Sequence, residues 1–299
     1  MNFSKRIFCI KTIIALFCFC FTGVAAAIQI DSPEIKIRYL GPGSLVGEDK
    51  RNDYYIELLQ KALARTGKQY VFERATRGLS GSRQLYTVAD GSVDVGWSVS
   101  TDEKEKTLRP IRIPIDKGLI GWRLLLINKD DARLFADIKS INDLRSIRLG
   151  QGQDWADTFI LRANQFNVEG VSTYDGMFKM LKQKRFRYFP RSIMEIWSEV
   201  DEHKDLNLAI ENTILIHYPA AFYYFVSTEN LSLAQDIEAG LEAMIKDGEF
   251  DKVFNKYHAQ RIINANLDRR RIYKLNNPYL PKATPLNRSE LWFNIDKIK

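Results

Sequence analysis

Residues 91–128, GSVDVGWSVSTDEKEKTLRPIRIPIDKGLIGWRLLLIN, constrain the fold more than any other part of this chain. The run 92–99 is apolar and rich in β-branched residues. It opens at Asp90-Gly91 and closes on the polar cluster 100–106, the pattern of a buried strand entering a helical turn. Pro110 and Pro114 hold the residues before them out of the helical region, so 111–115 is extended. A second apolar strand over 118–128 follows. Buried strands that alternate with helical segments call for a sheet with covered faces.

The alternation runs along the rest of the chain. Residues 35–40 read as a strand ended by Gly41-Pro42-Gly43, and a helix capped at Asp53 carries Ile56, Leu59 and Leu63 at helical spacing until Gly67. A strand over 70–74 and a short helix over 83–89 lead to the segment above. After Asn128 the pattern restarts, with a strand at 147–150, a helix at 154–166 and further alternation to 210. The chain returns through 218–226 to a helix built on Leu233, Ile237, Leu241 and Met244. The fold class is therefore α/β in two lobes, each a mainly parallel sheet covered by helices.

Gly91, Val93, Asp94, Thr101 and Glu103 match the pattern G-x-(V/I)-D followed by T-x-E-R. Residues 240–257, GLEAMIKDGEFDKVFNKY, match the ending G-L-x-x-M-x-x-D-G-x-(F/Y)-x-x-(L/V)-x-x-K-Y. On these motifs and their order, the chain resembles the family 3 periplasmic solute-binding proteins over about residues 35–257. The resemblance implies a two-lobed, type II periplasmic-binding fold with two hinge crossings. Its lobe 1 would comprise 28–127 and 214–261, with lobe 2 at 128–213. It also implies a monomer that closes on a small ligand and presents it to an inner-membrane ABC permease or a sensor. The tail, 262–299, carries Trp292 and Phe293 and is expected to dock on a lobe, with Arg269-Arg270-Arg271 as a solvated charge run.

The N-terminus reads as a secretory leader over 1–27: Lys5, Arg6 and Lys11 precede an apolar core at 13–21 and the small residues Val24-Ala25-Ala26-Ala27. Thr22 and Gly23 cut that core short of the roughly 20 residues that span a bilayer. The expected location is periplasmic. Cys9, Cys18 and Cys20 all fall in the leader, which leaves no thiol for a disulfide, a nucleophile or a metal site. The formal charge of +7 includes the leader cations, and the mild excess that remains does not mark a nucleic-acid partner.

Four loops at strand ends are candidates to line a cleft between the lobes. The first starts at Tyr39 and carries Gly41 and Gly43. The second, RATRGLSGSR, brings Arg77 and Arg83, which suit a carboxylate or phosphate. The third holds Trp97, Ser98 and Lys104; in amino-acid binders of the family an Arg stands where this chain has Lys104, so a point charge replaces a planar fork. The fourth, Gly150-Gln151-Gly152-Gln153-Asp154-Trp155, joins a strand to a helix whose N-terminus favours an anion, with Gly152, Gln153 and Trp155 as contacts and Asp154 as a cap. Where the family keeps an Asp for the ligand ammonium, this chain offers Glu211 and Asn212. Tyr39, Trp97, Trp122, Trp155 and Tyr218 supply rings near the cleft.

No nucleophile elbow, zinc motif or P-loop is present, and His203, His217 and His258 lie at no metal-ligand spacing. The reading is a binding protein, with no cofactor and no enzyme activity. Two alternatives stand beside it. One is a dehydratase on the same fold acting on a small cyclic acid, with Lys104, Glu211 or His217 as acid or base. The other is a ligand-free sensor or interaction module.

Overall fold

The computed structural model describes residues 33–40, 52–75 and 83–297, without the side chains of Arg83, Gln84 and Lys297. The expected leader, the turn 41–44 and the loop 76–82 with Arg77 lie outside the described residues.

The chain begins with β1 (Ile35–Leu40), α1 (Asp53–Ala64), β2 (Tyr70–Arg74), α2 (Arg83–Ala89), β3 (Val95–Val99), α3 (Asp102–Thr107) and β4 (Leu108–Pro110). α1 buries Tyr54, Tyr55, Leu58, Leu59, Ala62 and Leu63, apolar pairs that recur every four residues and so share one face. After residues 111–121 come β5 (Trp122–Asn128), α4 (Ala132–Ala136), α5 (Ile141–Ser146), β6 (Leu149–Gly152), α6 (Ala156–Ala163) and β7 (Val168–Val171). α7 (Tyr174–Lys182), β8 (Tyr188–Ser192), α8 (Ile196–Glu202), β9 (Leu208–Ile210) and β10 (Ile214–His217) follow. The chain then runs through β11 (Phe222–Ser227), α9 (Leu231–Lys246), α10 (Glu249–Asn264) and β12 (Arg271–Lys274). Gly248, in the left-handed region, separates α9 from α10.

Two sheets result. The first has the order β2-β1-β3-β11-β4, and the second β12-β10-β5-β8-β6-β7 with β9 also on β5. In each sheet one strand runs against the rest: β11 in the first and β5 in the second. All seven residues of β5 are buried, which explains its unbroken apolar run; full burial of each Leu or Ile contributes about 2 kcal/mol.

Strand pairing moves both lobe boundaries away from 127/128 and 213/214. β5 and β10 pair with each other, Ile216 opposite Arg123, and both belong to the second sheet. The crossings are therefore residues 111–121 and 218–221. Periodicity identified the strands but could not name their partners, because an apolar strand satisfies either sheet. The two crossings also touch, Tyr218 N–H donating to Gly121 C=O at 3.1 Å.

The tail departs from the expected single-lobe docking. α10 packs on α1 and α9 of the first lobe, whereas β12 pairs with β10 in the second sheet. Arg270 is not solvated: its side chain is 3% exposed and donates to the carbonyls of Ala265 (2.6 Å), Glu211 (2.5 Å) and Ile214 (3.1 Å). Beyond β12 the chain meets both crossings. Asn277 Nδ2 donates to Pro219 C=O (2.9 Å), and Phe293 N–H to Lys117 C=O (2.7 Å). Arg288 pairs with Glu242 of α9, and the Trp292 ring covers Gly118. Gly118 is required there, since its φ is +73° and a Cβ would lie 2.6 Å from that ring.

Candidate functional site

The wall from the first lobe is built where β3 runs into α3. Thr101 caps α3, and the third residue of that helix, Lys104, folds back over the end of β3. Its Nζ donates to Ser98 Oγ at 2.9 Å and to Val99 C=O at 2.6 Å. Both acceptors are neutral. Of the two acids that flank it in sequence, Glu103 pairs with Lys106 and Glu105 with Ser100 Oγ (2.7 Å) and Arg112. Burial pushes the Lys104 ammonium down to about 8, against an opposing pull from Asp157 of the second lobe. Trp97, one residue before Ser98 on β3, faces the other side of the strand. Trp97 is 2% exposed, donates to Asn52 Oδ1 at 3.3 Å, and has Tyr39, Tyr55 and Tyr224 within 6.2 Å of its ring centre.

The wall from the second lobe is dense with charge. Arg123, second residue of β5, pairs with Asp157 in the first turn of α6, and Tyr218 of the second crossing donates its hydroxyl to the same carboxylate. Glu195 lies 3.7 Å from Arg123 and 3.2 Å from Arg191. Arg191, on β8, donates from Nε to both oxygens of Glu199 (2.9 and 2.8 Å) and lies against the rings of Trp155 and Phe189. Tyr174 also donates to Glu199, at 2.7 Å. Burial acts to discharge the Arg123 guanidinium, but Asp157, Tyr218 and Glu195 outweigh it and hold its pKa above the usual value. Its Nε is buried with no hydrogen-bond partner.

The crossings connect these walls. Asp116 is fully buried, with Gly118 N–H on Oδ1 (2.9 Å) and Ile120 N–H on Oδ2 (3.0 Å). Burial lifts its pKa to about 7, opposed by those backbone donors and by Arg123. Arg261 of α10 reaches across to Met194 C=O at 2.7 Å, and burial lowers its pKa against the pull of Tyr55 and Glu195.

The residues singled out from sequence divide accordingly. Ser98 and Lys104 meet directly, Tyr39 stacks on Trp97, and Trp155 folds across Gly152, where a Cβ would lie 2.5 Å from the ring. Gln153 is exposed, its N–H bonded to Val171 C=O at 3.0 Å. Asp154 does not cap α6; Trp155 occupies that position and Asp157 lies in the first turn. Glu211 is consumed by its own turn, accepting from Thr213 N–H (2.8 Å), Thr213 Oγ1 (2.6 Å) and Ile214 N–H (2.6 Å), with Arg270 at 3.9 Å. Arg83 opens α2, its side chain outside the described residues.

The sequence reading missed Arg123, Arg191, Asp157, Glu195 and Glu199. A signal existed, because Arg inside the apolar runs GWRLLLIN and FRYFPRSI marks an ion that must find a buried partner. Among the described residues no three His, Cys, Asp or Glu are grouped to hold a metal, and no helix is long and apolar enough to cross a membrane.

No family model and no curated protein matches this sequence. Solved structures do. An ancestral arginine-binding protein bound to arginine is similar at 18% identity and a TM-score of 0.54, covering 74% of this chain and 97% of its own. A Salmonella typhimurium periplasmic binding protein of high arginine specificity is similar at 16% identity and a TM-score of 0.55, covering 75% and 99%. A histidine kinase sensor domain with similarity to periplasmic binding proteins is similar at 14% identity and a TM-score of 0.55, covering 74% and 95%. At these identities the likeness is one of fold.

Proposed function

We propose that this chain, built on the two-lobed fold of the periplasmic solute-binding proteins, captures a small polar or anionic metabolite in the cleft between its lobes. One observation carries the reading: Arg261 of the first lobe donates to Met194 C=O of the second beside the Arg123–Asp157 and Arg191–Glu195 pairs, so charged groups of the two lobes meet at one place. A solute that touches both walls stabilises their approach, and a hinge-bending protein needs no more than this to convert binding into a change of shape. The protein works as a monomer in the periplasm and hands its ligand, or its closed form, to an inner-membrane ABC permease. It performs no catalysis.

A second reading keeps the ligand but makes the partner a sensor, and the similarity to a histidine kinase sensor domain favours it. The test common to both is a thermal-shift screen of the purified protein against amino acids, polyamines, organic acids and aromatic acids. Ligand at 100 times its dissociation constant adds about 2.7 kcal/mol, which raises the melting temperature by several degrees. A selective rise is expected. Flat curves across the whole panel would remove the solute-binding reading.

A further inference from the structure

The last part of the chain is fastened to both lobes and to both crossings between them. It leaves the second sheet after β12, where Leu275 N–H donates to His217 C=O (2.8 Å). Asn276 then bonds twice to Asn164 at the end of α6, its N–H donating to Oδ1 (3.3 Å) and its C=O accepting from Nδ2 (2.8 Å). Asn277 holds the second crossing through Pro219 C=O (2.9 Å). From there the chain moves onto the first lobe, where Leu280 and Trp292 pack on the cluster of Leu40, Val88, Leu108, Tyr223 and Phe225. Arg288 grips both oxygens of Glu242 on α9, with Nη2 donating to Oε2 at 3.0 Å.

Its end returns to the first crossing, at a bend in the backbone. Lys117 and Gly118 are consecutive residues in the left-handed region, with φ of +51° and +73°. Glycine adopts that conformation freely, whereas a lysine persists in it only where its surroundings hold it. Three contacts do so. Phe293 N–H donates to Lys117 C=O (2.7 Å), Lys117 Nζ donates to Glu290 C=O (2.9 Å), and the same ammonium pairs with Asp251 of α10. Two of the three come from the tail. Phe293 also sets its ring edge-on to Trp122, the first residue of β5 in the second sheet, with centroids 5.2 Å apart.

We infer that residues 275–293 are a strap that restrains hinge bending and holds the lobes near the arrangement of this structure. Bending at a hinge changes backbone dihedrals at a few positions, and the strap is bonded to such a position in the first crossing. A change in lobe angle also alters the path from Asn164 on the second lobe to Glu242 on the first, which the strap spans with bonds at both ends. The restraint belongs to the free protein and does not depend on the solute-binding reading. For a solute in the cleft, it sets how much differential affinity must be supplied to shift the lobes.

The test is electron–electron dipolar spectroscopy on the purified protein, spin-labelled in pairs at exposed helical positions, with Cys9, Cys18 and Cys20 changed to Ser. Gln235→Cys on α9 with Lys179→Cys on α7 reports the distance between lobes, and Arg133→Cys on α4 with Lys179→Cys the distance within the second lobe. Arg288→Ala combined with Trp292→Ala detaches the strap from the first lobe while leaving the β12 pairing in place. The interlobe distance distribution of this double variant is expected to be about twofold broader than the parent's or more, with the intralobe distribution unchanged. An interlobe distribution identical to the parent's overturns the inference. Equal broadening of both distributions also overturns it, since that marks a general loosening of the fold. If the double variant does not fold, Arg288→Ala alone decides, because it removes only partly exposed ion pairs: a broader interlobe distribution upholds the strap and an unchanged one overturns it. Solute binding is read separately by the thermal-shift panel.

Discussion

The two lobes solve the burial of charge in opposite ways. The second lobe buries whole networks: Arg191 with Glu199 and Glu195, and Arg123 with Asp157, each cation facing a carboxylate. The first lobe gives one ammonium, Lys104, two neutral oxygens. A paired network holds its members in one geometry and is costly to break, although its net contribution to stability is small. A partly buried ammonium bonded only to neutral oxygens is a standing cost, and such costs are found where a protein does something other than fold.

The comparison is most easily broken at Glu199. Glu199→Ala leaves Arg191 against two rings with only Glu195 as counter-ion, and urea denaturation should register a loss of about 3 kcal/mol. A loss below about 1 kcal/mol would mean that Arg191 reaches water and the wall is less rigid than it looks.

The first wall should respond with the opposite sign. The folded Lys104 titrates near 8, against a value of 10.5 for an unburied lysine. Below pH 8 both states are protonated and the cost of burial is fully present. Between pH 8 and 10.5 the unfolded chain holds a proton that the folded protein has lost, so stability rises with pH, by up to about 3 kcal/mol. Lys104→Met should gain about 2 kcal/mol at pH 7 and lose this alkaline rise, which denaturation midpoints at a series of pH values would reveal.

Two smaller effects sharpen the picture between the walls. Trp292→Ala uncovers Gly118 at the first crossing and should cost about 2 kcal/mol, less than for a fully buried tryptophan because the ring is only partly buried. Tyr218→Phe removes one hydroxyl from Asp157 while Arg123 remains, and about 1 kcal/mol is the expected loss in the same assay.

Much of this was legible in the sequence because strands and helices advertise their periods locally. The motif at 91–128 located β3 and α3 but put the first crossing one strand too late, and the ending 240–257 located the break at Gly248. Pairing across long separations was not legible. Nothing near β5 announces that it lies beside β8 and β10, and nothing near Arg123 announces Asp157. The error at the fourth loop was small in sequence and large in chemistry: α6 starts at Ala156, so the acid of its first turn is Asp157 and not Asp154. Glu211 was misread because an acid two residues before Thr213 can close a tight turn as readily as it can face a ligand. Lys104 stood at a motif position, and the structure places it on α3 with its Nζ on Ser98 Oγ.

The order in which strands enter the two sheets has a consequence for how the molecule assembles. The first sheet has β11 between β3 and β4, and β11 follows every strand of the second sheet except β12. The second sheet has β12 at its edge, and β12 lies beyond the last two helices of the first lobe. Neither sheet can be completed until the chain of the other has been made, so the contacts that finish each one close long loops and meet the entropic barrier that slows folding. The interlacing predicts slow folding, with the second sheet left open at its β10 edge until the strand Arg271–Lys274 is in place.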